Sequence, residues 1–246
     1  MEIAGHRGAR GEAPENTLSG FRHLYQSGFR AVEFDIQVAG DGALVVIHDN
    51  SVDRTTSGSG PLSAFTAPQL ARLDACHHRQ FPDASGHPAD WPESDGVPQL
   101  QEVLAVLADF THLQLEVKAA AEADVATVVR LLPEMAKPFG RRAVTTSFNV
   151  SYLERIRDAA PSLPRGLLVE KDYSDDVTAA ALALGCVSIG PHFSLCTPEL
   201  IRRAHAAGLR VSTWTVNDPE TMLKLRDMGV DSIITDYPQL ARRVLA

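Results

Sequence analysis

Three things are scarce in this chain of 246 residues: cysteine, long apolar runs and basic charge. The three cysteines, Cys76, Cys186 and Cys196, are widely spaced and form no CxxC pair. An odd, scattered set argues against a disulfide framework and suits a reducing compartment. No apolar run approaches the roughly 20 residues of a membrane-crossing helix, so no stable membrane insertion is expected. The opening MEIAGHRG has no basic stretch leading into an apolar one. No secretory signal is therefore expected, and the cytoplasm is the expected location. Acidic residues outnumber basic ones 31 to 23, a formal charge of −8. A nucleic-acid binder usually carries the opposite field, so nucleic acid is not an expected partner. At first sight the same sign also disfavours an anionic substrate. Gly5, Gly8 and Gly11 do not make G-x-G-x-x-G, so a dinucleotide site is not supported.

What is present is the composition of a globular protein, with 44% apolar and 22% charged residues. The length allows one large domain or two small ones, and it suffices to bury a core without disulfide or metal support. A rhythm runs through the second half. Gly185, Gly208 and Gly229 each follow a helix-like segment and precede a β-branched run, at intervals of 23 and 21 residues. Glycine just past a helix end closes the last turn, so each marks a helix-to-strand connection. Gly28 gives the same signal before Ala31–Ile36. Eight strands are expected, near residues 2–6, 31–38, 112–117, 143–148, 166–170, 187–190, 210–216 and 231–236. Helices are expected near 16–27, 99–109, 121–132, 149–159, 175–184, 198–207, 218–228 and 238–245, with Pro133 ending the third of them. Alternation of this kind predicts parallel β with helical crossovers, and eight units in this length favour a (β/α)8 TIM barrel over an open doubly wound sheet. Residues 50–98 break the rhythm with Ser57-Gly58-Ser59-Gly60, His87-Pro88 and Trp91-Pro92. They read as an insertion after strand 2 of a single-domain barrel spanning 1–246.

Active sites of such barrels lie at the C-terminal ends of the strands. The first strand there ends in His6-Arg7, the second carries Glu33 and Asp35, and the third carries Glu116 and Lys118. Residues two apart on a strand share a face, so each of these last two pairs points one way. The opposite face of the second strand carries Val32, Phe34 and Ile36, which makes a solvated Glu33–Asp35 face improbable on pattern. Three carboxylates and a lysine converging on one barrel mouth are costly unless paired. A divalent cation resolves this, and oxygen ligands suit Mg²⁺ or Ca²⁺ better than zinc. Asp41-Gly42 between strand-like runs signals a hairpin. With a two-residue loop, His48 falls directly opposite Asp35 on the same face; a bulge would shift it by one. Two histidines, a carboxylate set and two cations, Arg7 and Lys118, suit cleavage of a phosphodiester. The cations would stabilise phosphoryl charge while one histidine deprotonates and the other protonates.

These residues resemble the glycerophosphodiester phosphodiesterases. The matching motifs are His6-Arg7-Gly8, Pro14-Glu15-Asn16-Thr17, Glu33-Phe34-Asp35, Asp41-Gly42 followed by Val45-Val46-Ile47-His48-Asp49, and Asp53-Arg54-Thr55-Thr56. Glu116-Val117-Lys118, Trp214-Thr215-Val216-Asn217 and Thr235-Asp236-Tyr237-Pro238 follow, so the resemblance spans nearly the whole chain. It implies a barrel with an insertion after the second strand. It implies a divalent cation held by Glu33, Asp35 and Glu116, with His6 and His48 as the acid/base pair and Arg7 and Lys118 on the phosphate. It also implies hydrolysis of a small glycerophosphodiester, such as glycerophosphocholine, to glycerol 3-phosphate and an alcohol. In that family the free glycerol hydroxyl is thought to attack phosphorus, giving a cyclic phosphate that water opens. No core motif position departs from the pattern. The stretch 76–96 resembles the family least and bears on headgroup preference.

Several residues admit two readings. Asn16 could cap a helix or join the site, and Glu15 could fix Arg7. Trp214 could fill the barrel core or wall the substrate pocket, where its face could hold a quaternary ammonium; Phe193 is a similar candidate. His77, His78 and His87 lack carboxylate support and read as a solvated loop rather than a second metal site. His23, His112 and His205 read as structural, and Asp236 as structural, capping the helix that starts at Pro238. Two rival functions remain in view: a phospholipase D-like enzyme acting on lysolipids, which would need an apolar lip, and a barrel that binds glycerophosphodiesters without turnover. The choice between Mg²⁺ and Ca²⁺ and the oligomeric state leave no mark in the pattern.

Overall fold

The alternation of β-branched runs and amphipathic segments is realised element by element in the computed structural model, which describes residues 1–76, 80–82, 87–92 and 94–246. The strands are β1 (Glu2–His6), β2 (Ala31–Val38), β3 (Leu44–Val46), β4 (Gln80–Pro82), β5 (Pro88–Asp90), β6 (His112–Val117), β7 (Ala143–Ser147), β8 (Arg165–Val169), β9 (Ser188–Pro191), β10 (Arg210–Thr213) and β11 (Ser232–Thr235). The helices are α1 (Leu18–Gln26), α2 (Ala67–Leu70), α3 (Leu100–Val106), α4 (Glu122–Ala136), α5 (Val150–Ala159), α6 (Val177–Ala183), α7 (Pro198–Ala206), α8 (Pro219–Met228) and α9 (Pro238–Leu245).

The sheet runs β1-β11-β10-β9-β8-β7-β6-β2, and β1 pairs with β2 to close it. All eight neighbour pairs are parallel, so this is a closed (β/α)8 TIM barrel. The main core lies between barrel and helices, where Phe21, Phe34, Leu113, Tyr152 and Ile233 are almost wholly buried. The helix ends follow the sequence signals. Gly229 takes φ 87° at the C-cap of α8, a left-handed conformation open to glycine without a Cβ penalty.

Two expectations about local structure are corrected. Pro133 does not end its helix; α4 continues to Ala136 with the proline inside. The missing N–H costs local stability, but Leu132 and Ala136 on either side are buried in the core and hold the last turn in place. The hairpin register also differs. The Ala39 N–H donates to the Ala43 carbonyl and the Gly42 N–H to the Ala39 carbonyl, each at 2.9 Å. The loop therefore has three residues, with Gly42 at φ 81°. Pairing runs Ile36 to Val46, Gln37 to Val45 and Val38 to Leu44, which puts Ile47 rather than His48 in line with Asp35.

The segment after β3 builds a small core of its own around Val45, Ile47, Val52, Leu62, Leu70 and Val97. It is pinned to α1 through Trp91, whose indole N–H donates to Ser19 Oγ at 2.8 Å. The Trp91 ring meets His23 and Phe81 edge-on, with centroids 5.7 and 5.6 Å away. Asp95 accepts the Ser19 backbone N–H at 2.6 Å, satisfying an otherwise orphaned donor in the first turn of α1. His77 and His78 lie outside the described residues, and His87 is exposed.

Candidate active site

The site begins where β1 ends. Arg7, just beyond the strand, adopts φ 52°, and Asn16 adopts φ 57°. Two non-glycine residues in the left-handed region, both buried, mark backbone held by its surroundings. The holding contacts are specific. The Asn16 N–H donates to the Arg7 carbonyl at 2.9 Å. The Arg7 N–H donates to Glu33 Oε2 at 3.2 Å, and Arg7 Nη1 donates to Glu15 Oε1 at 2.9 Å. Arg7 Nε lies 3.2 Å from Asp35 Oδ2, which also accepts from Asn16 Nδ2 at 2.9 Å.

Asn16 is thus brought against Asp35 in the barrel mouth. The cap of α1 is Thr17, whose side chain accepts the Gly20 N–H, so the capping alternative for Asn16 is set aside. Glu15 holds Arg7. It is also held from the other side by Arg54, which donates to both its oxygens at 2.9 Å. Burial opposes ionisation of Glu15, but the hydrogen bonds and charges of Arg54 and Arg7 outweigh it and keep the carboxyl well below its usual range.

Glu33 and Asp35 of β2 and Glu116 of β6 meet in the barrel mouth because Asp35 pairs in register with Glu116. One oxygen from each lies within 4.8 Å of the others, and all three residues are buried. Glu33 Oε1 and Asp35 Oδ1 accept no hydrogen bond. Lys118 Nζ sits 3.4 Å from Asp35 Oδ1 and forms an ion pair with Glu116. Burial, with repulsion from Asp35, pushes Glu116 up to about 7. Burial and the two neighbouring carboxylates push Glu33 well above the usual range. Burial pushes Asp35 the same way, but Arg7, Lys118 and His48 outweigh it and hold Asp35 ionised below its ordinary value. Buried, underpartnered carboxylate oxygens at this spacing fit a hard divalent cation.

Each of the two histidines has a carboxylate at Nδ1. His6 Nδ1 is 2.6 Å from Asp236 Oδ1, and His48 Nδ1 is 2.6 Å from Asp49 Oδ1. His6 Nε2 points towards the carboxylates, 3.9 Å from Glu33 Oε2. Burial lowers the pKa of His6 despite Asp236, and it lowers that of His48 despite Asp35 and Asp49. His48 does not face Asp35 by strand pairing. It arrives because β3 stops at Val46 and the chain bends, with Gln37 Nε2 donating to the His48 carbonyl at 2.7 Å. There its imidazole still feels Asp35, Arg7 and Lys118.

Trp214, just past β10, lines a small cavity with His6, Glu33, Gln114 and Glu116. Its indole N–H donates to the Gly190 carbonyl at 2.8 Å, and Phe148 and His192 pack against its ring. Phe193 is not brought to this cavity. It is half-buried against the core and tilted over His192.

Four supporting residues, Asp236, Asn217, Asp49 and Arg54, were given no role in the site by the sequence, Asp236 being read there as a helix cap. Asp236 does not cap α9, whose N-cap is Tyr237 without a side-chain bond. It accepts from Asn217 Nδ2 at 2.9 Å while holding His6, and Asn217 Oδ1 accepts the Asp236 N–H at 2.9 Å. Asp49 is held by Arg54, which thereby links Glu15 and Arg7 to His48. The available signals were position: Asp236 follows the last barrel strand directly, and Asp49 follows His48.

The family model for the glycerophosphoryl diester phosphodiesterase family matches residues 6–240. A glycerophosphodiester phosphodiesterase of Caldanaerobacter subterraneus subsp. tengcongensis is 31% identical, with 96% of this chain and 94% of that one aligned. A glycerophosphodiester phosphodiesterase of Bacillus subtilis is also 31% identical, over 97% of this chain and 84% of that one. Among solved structures, an Oleispira antarctica phosphodiesterase in complex with the product sn-glycerol-3-phosphate superposes with TM-score 0.85 at 27% identity, covering 100% of this chain and 96% of that one. A glycerophosphodiester phosphodiesterase from Agrobacterium tumefaciens superposes with TM-score 0.80 at 26% identity, covering 99% of each.

Proposed function

The chain belongs to the glycerophosphoryl diester phosphodiesterase family and is an enzyme of that class, and we propose that it hydrolyses small glycerophosphodiesters such as glycerophosphocholine to glycerol 3-phosphate and an alcohol. The observation that carries this reading is the convergence of His6 and His48, each with a carboxylate on Nδ1, upon Glu33, Asp35 and Glu116.

Glu33, Asp35 and Glu116 would hold one divalent cation, Mg²⁺ or Ca²⁺. When bound, it supplies Lewis-acid stabilisation of charge on the phosphoryl oxygens. Arg7 and Lys118 add fixed positive charge at the same mouth, and low dielectric makes that charge effective. Arg7 is pre-set by Glu15 and Asp35, so little rotamer freedom is lost when substrate binds. Carboxylates at Nδ1 fix each imidazole with Nε2 free to exchange protons with substrate. One histidine takes the proton of the attacking glycerol hydroxyl. The other gives a proton to the departing alcohol oxygen, and the roles reverse when water opens the cyclic phosphate. Trp214 and its aromatic neighbours wall the pocket. The few, scattered cysteines fit a cytoplasmic setting, and the acidic charge balance fits a small soluble substrate rather than nucleic acid.

The test is a cation titration of glycerophosphocholine hydrolysis, read by release of glycerol 3-phosphate. Activity should vanish in excess chelator and return with Mg²⁺ or Ca²⁺. His48→Ala should keep its cation-induced thermal shift and lose about 10²–10⁴-fold in kcat. Full turnover in chelator would remove the cation from the reading. A preference for lysophosphatidylcholine over glycerophosphocholine would replace the substrate class.

A further inference from the structure

At the other end of the barrel, the lumen is not filled in the usual way. Barrel interiors are packed with layers of branched apolar side chains. Here β9, β10 and β11 instead place Ser188, Ser212 and Ser232 on the inner face, and a cavity of about 270 Å³ remains. Ser212 and Ser232 are register partners on adjacent strands, and Ser188 is the partner of Arg210. Ser212 and Ser232 are 7% and 1% exposed, yet neither hydroxyl has a hydrogen-bond partner. Two buried, unpaired hydroxyls on residues beside one cavity are a cost that a ligand reaching them would relieve.

The rim is cationic. Arg141 and Arg210 line the opening, with His112 at the start of β6 between barrel wall and rim. Glu2 meets Arg210 Nη2 at 3.3 Å and also faces His112. Two guanidinium groups at one opening supply positive charge there, and the nearby Asp231 carboxylate is engaged by the Val211 N–H at 2.8 Å. The side chain of Gln114 lines both this cavity and the small one beneath the carboxylates, and so divides the two.

We propose that the N-terminal pole of the barrel is a second, non-catalytic site for a small phosphate-type oxyanion, held by Arg141 and Arg210 at the rim and by the Ser212 and Ser232 hydroxyls inside. Guanidinium forks match the tetrahedral oxygens of phosphate, and each hydroxyl donates to one of them. The source is either free inorganic phosphate or a phosphate monoester whose alcohol part occupies the remaining volume. This site shares no side chain with the phosphodiester reaction, so its fate is separate from that of the proposed function.

The experiment is calorimetric titration of inorganic phosphate into the Mg²⁺-loaded protein and into three variants. Arg141→Met changes an exposed side chain and keeps the test valid even if Ser212→Val disturbs the barrel; Arg7→Met reports on phosphate at the reaction centre. Saturable binding that weakens about tenfold or more in Arg141→Met and in Ser212→Val, but persists in Arg7→Met, is the expected result. Glycerol 3-phosphate titrated in parallel separates the sources: tighter Arg141-dependent binding of the ester assigns the site to a monoester, and equal or weaker binding assigns it to free phosphate. Binding lost in Arg7→Met and unchanged in Arg141→Met would overturn the proposal, because the anion would then belong to the reaction centre. No saturable binding to the parent protein would also overturn it, leaving a hydrated cavity.

Discussion

His6 is held in its tautomer from outside the catalytic mouth, and that makes Asp236 a measurable part of the site. The carboxylate lies 2.6 Å from Nδ1, which in the proposed reaction leaves Nε2 to work on substrate. Asp236→Asn keeps the size but offers an amide that can donate to Nδ1 and reverse the tautomer. By analogy with triads in which the orienting carboxylate is amidated, kcat should fall by about 10²–10⁴-fold, with KM and the circular dichroism spectrum little changed. A kcat within twofold of the parent would show that His6 needs no such partner. Arg54 is the counterpart for His48, bridging Asp49 and Glu15 through a planar fork. Arg54→Lys retains charge but cannot span both carboxylates, so kcat should drop roughly 10-fold or more, read from steady-state kinetics with glycerophosphocholine. Glu33, Asp35 and Glu116 were legible as one cluster because strand parity aims them at the mouth, whereas His48 and Arg7 were picked by residue type and reach it through a bend and a left-handed residue beyond their strands. Asp236, Asp49, Arg54 and Asn217 were not legible, because they act on other side chains across loops, and no periodicity records a loop-to-loop contact. Phe193 follows a strand end as Trp214 does, but the turn after β9 lays its ring on His192 and the core rather than on the small cavity.

At the scale of elements, the pattern was nearly sufficient. Each barrel strand appears within a few residues of its expected place, because an alternating helix–glycine–strand rhythm constrains a parallel sheet strongly. The failures are where one residue decides. An Asp-Gly pair fits both a two-residue loop and a three-residue loop with glycine left-handed, and the choice shifts register by one. Pro133 carries a local cost that burial of its neighbours outweighs, which sequence alone does not weigh. The insertion is the least legible element, since its anchoring depends on where Trp91 lands. Trp91→Phe should remove the bond to Ser19 and cost about 1 kcal/mol. Trp91→Ala should also free the segment from α1, giving proteolytic cleavage between residues 70 and 98 while the rest of the barrel stays resistant. Uniform resistance in Trp91→Ala would mean that the small core around Leu62 and Leu70 holds the segment unaided.

For the whole molecule, the charge of −8 is no obstacle to an anionic substrate, because it is not spread evenly. A dication held as proposed, together with Arg7 and Lys118, would more than balance Glu33, Asp35 and Glu116 and make the mouth locally positive in an acidic chain. The same three carboxylates tie global stability to pH. Without a cation, Glu116 is raised from 4.5 to about 7, and Glu33 is raised as well. A carboxyl raised in the folded state binds its proton more tightly there than in the unfolded chain. Its contribution is therefore fully present below its unfolded pKa and is lost as pH rises through its folded one. Asp35, held below its ordinary value, is already ionised across this window and does not oppose the trend. The cation-free protein should thus lose on the order of 3 kcal/mol from Glu116 between pH 4.5 and about 7. A bound cation needs the ionised carboxylates, so its stabilisation should grow over the same interval, reaching roughly 2.7 kcal/mol beyond the apo protein at a hundredfold excess over Kd. Thermal melts at pH 5, 6 and 7.5 with chelator and with excess Mg²⁺ check this directly. The gap between the two curves should widen as pH rises, and Glu116→Gln, which cannot ionise, should flatten the chelator curve and shrink the gap. A gap independent of pH would place the bound cation away from Glu116.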